Sequence, residues 1–166
     1  SFLNSGHLGD VINALPTIKE LSKTHTCNFY LQTNKPLPTH IRGYKHSKDL
    51  VYMNDRMVDM LLPLLKCQSY INKVEKYNNN KIDIDLDLFR RMPMNFNLDE
   101  IRWYFHLTGV HTDLSKPYLF VEPSNIIKNK VVIMRSTRRK NIFINYKFMK
   151  KYNDLIFIGL NHEYED

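Results

Sequence analysis

With 166 residues, 43% of them hydrophobic and 25% charged, the chain can bury a core, which excludes a disordered tail and predicts one domain, or one domain plus part of another. No run approaches the roughly 18 consecutive apolar residues of a membrane span, and the amino end has no basic segment followed by an apolar one, so a soluble, cytoplasmic protein is expected. A formal charge of +7 and a pI near 9.3 favour contact with phosphates on a nucleotide, a nucleic acid or an anionic membrane surface, without choosing among them.

The first four residues read as the end of a buried strand. A turn with two glycines, Ser5-Gly6-His7-Leu8-Gly9, then delivers Asp10 to the mouth of a helix in which Val11, Leu15, Ile18 and Leu21 recur at helical spacing. Glycines let the backbone turn tightly and approach a ligand, and the free N–H groups and dipole of a helix start favour negative charge. Residues 27–33 form a β-rich run ended by the turn cluster at 34–38, which completes a βαβ unit. After the poorly periodic residues 39–53, Val58, Leu61, Leu62 and Leu65 share one helical face, which Met57 and Met60 widen.

A strand is predicted at 70–76, then a turn at Asn78-Asn79-Asn80, then strict alternation over 82–88, with Asp83, Asp85 and Asp87 on a wet face. Leu98, Ile101, Phe105 and Thr108 mark a helix with Asn97 as its cap, Asp99 and Glu100 in its first turn and Gly109 as its stop. Residues 111–130 have the composition of a connecting segment, interrupted by the apolar residues 118–121. A fresh buried strand at 131–134, a polar turn, a helix around 146–152, a strand at 155–159 and the start of a helix at 161–166 follow. The organisation expected is an α/β domain with a Rossmann-like parallel sheet over 1–122, a linker at 123–130, and the start of a second Rossmann-like domain over 131–166. Ser1 stands where a methionine would begin a chain and both ends are abrupt, which predicts a piece of a longer protein.

The residues that can carry chemistry fall in a few places. The glycine turn matches neither the dinucleotide fingerprint GxGxxG nor the P-loop GxxxxGK[ST], and His7 lies inside it. Asp10 suits a general base at a cleft and equally an ordinary helix cap. Arg135, Arg138, Arg139 and Lys140 follow the strand at 131–134, where an α/β sheet binds ligands, and suit a diphosphate or a solvated basic turn. Asp83, Asp85 and Asp87 contain two overlapping DxD strings, for which strand alternation is a simpler account than a metal site. Arg90 and Arg91 can meet an anionic acceptor or merely face solvent. The two cysteines, Cys27 and Cys67, lack a CxxC and companion histidines, and no histidine has metal-ligand spacing, so no metal or other cofactor is expected.

The string GHLGDVINALPTIKEL resembles the start of the glycosyltransferase family 9 proteins, the ADP-heptose:lipopolysaccharide heptosyltransferase group, whose amino-terminal loop has the form S-x-x-G-D-x-[IVL]-x-x-[LT]-P. Gly9, Asp10, Ile12, Leu15 and Pro16 match directly, and Ser5 matches the loop serine with one residue of shift. A proline inside a helix costs ~3 kcal/mol, so Pro16 is odd in a generic helix and expected under the resemblance. At lower specificity, residues 77–88 resemble the family's YDxxIDL strand, with Asn78 in place of the acid, and 97–110 resemble the helix ahead of the linker. Residues 131–166 resemble the opening of the nucleotide-binding domain, although Lys140-Asn141-Ile142-Phe143 replaces the usual lysine followed by tryptophan-proline.

The resemblance implies a GT-B fold, two Rossmann-like domains facing across a cleft, and metal-independent glycosyl transfer with Asp10 as general base. The implied partners are a nucleotide-sugar donor and a glycan or lipid-linked glycan acceptor of lipopolysaccharide type, with peripheral contact to an anionic inner-membrane face and no stable nucleic-acid partner. Ser5, Gly6, His7, Gly9, Arg90 and Arg91 are the acceptor-side candidates, and Ser136, Thr137, Arg138 and Lys140 the donor-phosphate candidates. The isolated chain is expected to be inactive. Rival readings are a basic nucleic-acid-binding module using residues 135–151 with Phe143, Tyr146 and Phe148, and a related nucleotide-sugar enzyme such as an epimerase.

Overall fold

A computed structural model describes residues 1–39, 49–93, 95, 97–122, 127–134, 143–159 and 163. The chain divides into two compact units, Ser1–Glu122 and Pro123–Asp166.

The first unit is an α/β layer built on four parallel strands, β1 (Phe2–Asn4), β2 (Asn28–Leu31), β3 (Lys73–Lys76) and β4 (Ile84–Asp85), in the order β3-β2-β1-β4. Phe2 lies opposite Phe29 on one side and Ile84 on the other. The chain runs outward from β1 through β2 to β3, then returns to place β4 on the far side of β1. The segments leaving the carboxyl ends of β1 and β4 therefore adjoin where the strand order reverses, the place at which parallel α/β sheets take ligands.

The predicted periodicity of the first helix, α1 (Leu8–Leu21), is that of its packing: Val11, Ala14, Leu15 and Ile18 are fully buried, and Pro16 is buried within it. Helix α2 (Asp55–Lys66) starts at Asn54, whose side chain accepts from the Met57 N–H at 3.0 Å, and buries Val58, Leu61 and Leu65. Met57 packs at the core margin, but Met60 is 70% exposed and does not widen the stripe. Phe29, Leu31, Met53, Leu86 and Tyr104 complete the core between sheet and helices.

The alternation over 82–88 is not one strand. Strand β4 stops at Asp85, whose carboxylate accepts the Asp87 N–H at 2.9 Å and starts a 3-10 helix, Leu86–Arg91. Side chains three apart share a face in such a helix, so Leu86 and Phe89 are buried together, and Asp87, expected on a wet face, is buried as well. Helix α3 (Glu100–Thr108) is capped by Asp99, which accepts from the Arg102 N–H at 3.1 Å, and not by Asn97. It ends as predicted at Gly109, in the left-handed region at φ 73°, whose N–H donates to the Phe105 carbonyl at 2.8 Å. The buried Gln68 side chain exchanges two hydrogen bonds with the Phe120 backbone, at 2.8 and 2.9 Å, and the Tyr70 hydroxyl donates to the Tyr118 carbonyl at 2.5 Å. The apolar interruption at 118–121 is thus strapped to the first unit.

In the second unit, β5 (Val131–Met134) pairs in parallel with β6 (Leu155–Ile158). Val132 and Met134 are exposed, unlike the buried strand expected, since two strands offer little surface to bury them against. The helix expected around 146–152 is a 3-10 helix, Tyr146–Lys151, started by the Asn145 side chain. The helix start expected at 161–166 falls, apart from Glu163, outside the described residues. No described helix is long and apolar enough to cross a membrane.

Among the described residues a Cβ at Gly109 meets no atom within 4 Å, so the cost of a side chain there is that of its left-handed backbone. Gly109→Ala should lower stability by about 1 kcal/mol in urea titration; an unchanged midpoint would show that α3 can end another way.

Candidate functional site

At the carboxyl end of β1 the chain is held by side chains from three other segments. The Ser5 backbone N–H donates to Asp87 Oδ2 at 2.9 Å, and the Ser5 hydroxyl donates to the same oxygen. Lys35, just after β2, donates to Ser5 Oγ at 2.6 Å and pairs with Asp87 at 3.4 Å. Asn4, fully buried, accepts the Gly6 N–H at 2.9 Å through its side-chain oxygen and reaches the Tyr104 hydroxyl at 3.4 Å with its amide. His7 Nδ1 lies 2.9 Å from the Tyr52 carbonyl, so that nitrogen carries the ring proton.

The turn so fixed presents Asp10 on the first turn of α1. Asp10 Oδ2 accepts the His7 N–H at 2.9 Å, which satisfies one of the free donors of the helix start, and also accepts from the Arg90 guanidinium. Asp10 is therefore a capping residue and an ion-pair partner at once. Among the described residues both of these N–H donors bond Oδ2 and neither bonds Oδ1. Arg90 lies over the rings of Phe89 and Tyr52, 4.5 and 5.2 Å from their centroids, and its Nε is 3.6 Å from Asp87 Oδ1. The Asp10 side chain keeps 15% of its surface exposed and Arg90 26%, against 5% for Asp87. Asp87 holds the site together, and Asp10 can still be reached.

Glu100, at the start of α3, completes the cluster. Its Oε2 accepts from Asn13 Nδ2 at 3.1 Å, its Oε1 is 3.3 Å from the Tyr104 hydroxyl, and its carboxyl is within hydrogen-bonding reach of Asp10. Burial, then the charge of Asp10 and the contact with it, push Glu100 up to about 7, against weaker opposition from Asn13 and Arg90. Burial also pushes the Tyr104 phenol well above its ordinary value, helped by Glu100 and Asp10. For Arg90 burial opposes the charge, but Asp10 and Asp87 outweigh it and raise the guanidinium above its ordinary value.

Of the candidates named from sequence, Ser5, Gly6, His7, Asp10 and Arg90 converge here. Ser5 is buried beneath the site rather than facing into it. Arg91 is 70% exposed and pairs with Asp85 at 3.2 Å. The three strand acids separate, Asp83 to the Ser1 amino group, Asp85 to Arg91 and Asp87 to Ser5 and Lys35. Among the described residues no group of three His, Cys, Asp or Glu side chains has a metal-binding arrangement. Arg135, Ser136, Thr137, Arg138, Arg139 and Lys140 lie outside the described residues.

Sequence reasoning missed Lys35, Tyr52, Glu100 and Tyr104 as members of the cluster. The spacing of Glu100 and Tyr104, one helical turn apart, was a signal available for two of them. No family model matches the chain, and no curated protein or solved structure matches it either.

The two glycines of the turn differ in their surroundings. A Cβ at Gly6 would overlap Asp10 Oδ2 and lie 2.7 Å from the Asp10 Cβ and 2.5 Å from Arg90, whereas one at Gly9 meets none of the described residues within 4 Å. Gly6→Ala should cost about 1–3 kcal/mol by overpacking, and Gly9→Ala should gain roughly 0.5–1 kcal/mol from helix propensity. Denaturation of the two variants in parallel checks this, and equal effects would contradict the assignment of Gly6 to close approach. The raised Glu100 makes a second prediction, because between its ordinary value of 4.5 and about 7 the folded state binds more protons than the unfolded. Its contribution to stability is complete below 4.5 and is lost as pH rises through about 7. Glu100→Gln should remove that part of the pH dependence of the melting temperature; an unchanged slope would contradict it.

Proposed function

We propose that the first unit is the acceptor-side domain of a metal-independent glycosyltransferase of GT-B type, with Asp10 as the general base. The observation that carries this reading is a reachable carboxylate on the first turn of the helix after β1, at the point where the strand order of a parallel sheet reverses. The resemblance of residues 5–16 to the family 9 loop supports it independently.

In this reading the acceptor hydroxyl attacks the anomeric carbon of the nucleotide sugar as Asp10 Oδ1 takes its proton. The bond between the anomeric carbon and the diphosphate oxygen breaks, and its electron pair leaves on the diphosphate. A base must reach the hydroxyl directly or through one water, and the exposed edge of Asp10 allows that. The Arg90 guanidinium fixes the carboxylate through Oδ2 and keeps Oδ1 in one direction. Positive charge for the leaving diphosphate is assigned to Arg138 and Lys140, with Ser136 and Thr137 as hydrogen-bond donors, on sequence grounds alone. Gly9, with no packing need for its missing side chain, leaves room for an acceptor over the helix start.

Asp10→Asn keeps the size of the side chain and an acceptor for the His7 N–H, while removing the base. In the full natural protein it should lower turnover with a nucleotide-sugar donor by about 10²-fold or more, with donor affinity within about twofold of the parent by this assignment. Unchanged turnover would overturn the reading. Binding to single-stranded oligonucleotide that weakens steeply with salt, without donor binding, would replace it with a nucleic-acid function.

A further inference from the structure

Two carboxylates that are both ionised cannot hydrogen-bond to each other, since each only accepts. Glu100 borders the first turn of α1, with Asn13 Nδ2 at 3.1 Å from its Oε2 and the Tyr104 hydroxyl at 3.3 Å from its Oε1, and its carboxyl faces that of Asp10, a contact that a proton between the two turns into a hydrogen bond. The Tyr104 hydroxyl favours the same proton. It has one proton and two acceptor neighbours, the Asp10 carbonyl at 3.1 Å and Glu100 Oε1 at 3.3 Å, so when it donates to the carbonyl a proton on Glu100 makes the second contact a hydrogen bond as well.

The charges around the pair agree. Asp10 on α1, Asp87 on the 3-10 helix after β4 and Glu100 on α3 supply three acids, against Arg90 on the same 3-10 helix and Lys35 after β2. Tyr104 on α3, Tyr52 ahead of α2, Asn13 on α1, Asn4 at the end of β1, Ser5 after it and the His7 ring are further polar groups around them. One proton on Glu100 balances the three acids against the two cations.

We infer that Asp10 and Glu100 act as one acid–base pair holding a single exchangeable proton, with Glu100 a positioning residue that decides when Asp10 can accept the proton of the acceptor hydroxyl. The inference rests on the reading of Asp10 as the base. While Glu100 holds its proton and donates it to Asp10, the carboxylate of Asp10 is occupied by that hydrogen bond. Once Glu100 ionises, two like charges adjoin and the pair has room for one proton. The acceptor hydroxyl supplies it as its oxygen bonds to the anomeric carbon and the diphosphate leaves with the electron pair of the broken bond. The proton returns to water before the next turnover. Turnover should therefore rise with pH and level off above about 7, the point to which Glu100 is displaced.

Two measurements test this separately. Carboxyl 13C NMR of the chain should show Glu100 titrating near 7, and Asp10→Asn should lower that midpoint by roughly one unit or more. A Glu100 midpoint in the ordinary glutamate range, or one that Asp10→Asn leaves in place, overturns the shared proton whatever the protein catalyses. In turnover assays of the full natural protein the parent should gain about tenfold per pH unit below the midpoint, the slope of a single proton. Glu100→Gln, which mimics the protonated residue, should be flat from pH 6 to 8 and at least about tenfold below the parent plateau, with Glu100→Asp restoring part of the rise. A Glu100→Gln variant that keeps the parent profile overturns the role of Glu100 and leaves that of Asp10 standing. An Asp10→Asn variant with full turnover defeats the base assignment itself, and with it the catalytic role of the pair.

Discussion

The buried carboxylate of Asp87 is the contact on which the site depends. It receives the backbone and hydroxyl of Ser5 after β1, the ammonium of Lys35 after β2, and the approach of Arg90 from its own 3-10 helix. Three segments that are distant in sequence are thereby fixed at one end of the sheet. Removing one partner from a buried charge cluster typically costs ~3–5 kcal/mol, because the remaining charges stay desolvated. The cluster is poor as a source of stability compared with apolar packing of the same volume. What it supplies is position, since without Asp87 neither the glycine turn nor Arg90 would be held where Asp10 meets them.

Position then becomes electrostatics. Arg90, enclosed by Tyr52 and Phe89, is kept charged by Asp10 and Asp87 despite its burial. Asp10 accepts from that cation and from the His7 N–H at the helix start. Glu100 is buried and faces the charge of Asp10, which together outweigh the Asn13 amide and the charge of Arg90. The same few ångströms therefore hold one carboxylate bonded to a cation and, beside it, one carboxyl displaced upward by burial and by its neighbour.

How much of this could be read from sequence differs from residue to residue. Strand β1, the turn, α1 and β2 were legible because a buried strand, two glycines and a 3.6-residue apolar period agree there, and Gly109 was legible because a glycine after an apolar helical run ends it. Asp87 was misread: alternation places it on a wet face only if the strand continues, and Asp85 ends the strand by capping a 3-10 helix. Glu100 looked like an ordinary first-turn acid, since its significance arises from packing α3 against α1, a contact no local pattern encodes. Asn97 and Asp99 compete for the same cap, and sequence cannot tell which carboxylate or amide meets the free N–H groups.

The two glycines of the turn, which look equivalent in sequence, divide the work between folding and access. Gly6 is required because Asp10 and Arg90 close over its α-carbon, so its missing side chain is space the ion pair occupies. Gly9 answers to no such demand: its backbone is helical, a Cβ there touches none of the described residues, and an alanine would hold the helix better. The turn thus meets two requirements among the described residues, one closed around the charges that place Asp10 and one left open beside it. Under the proposed function, the open side is the one an acceptor would use.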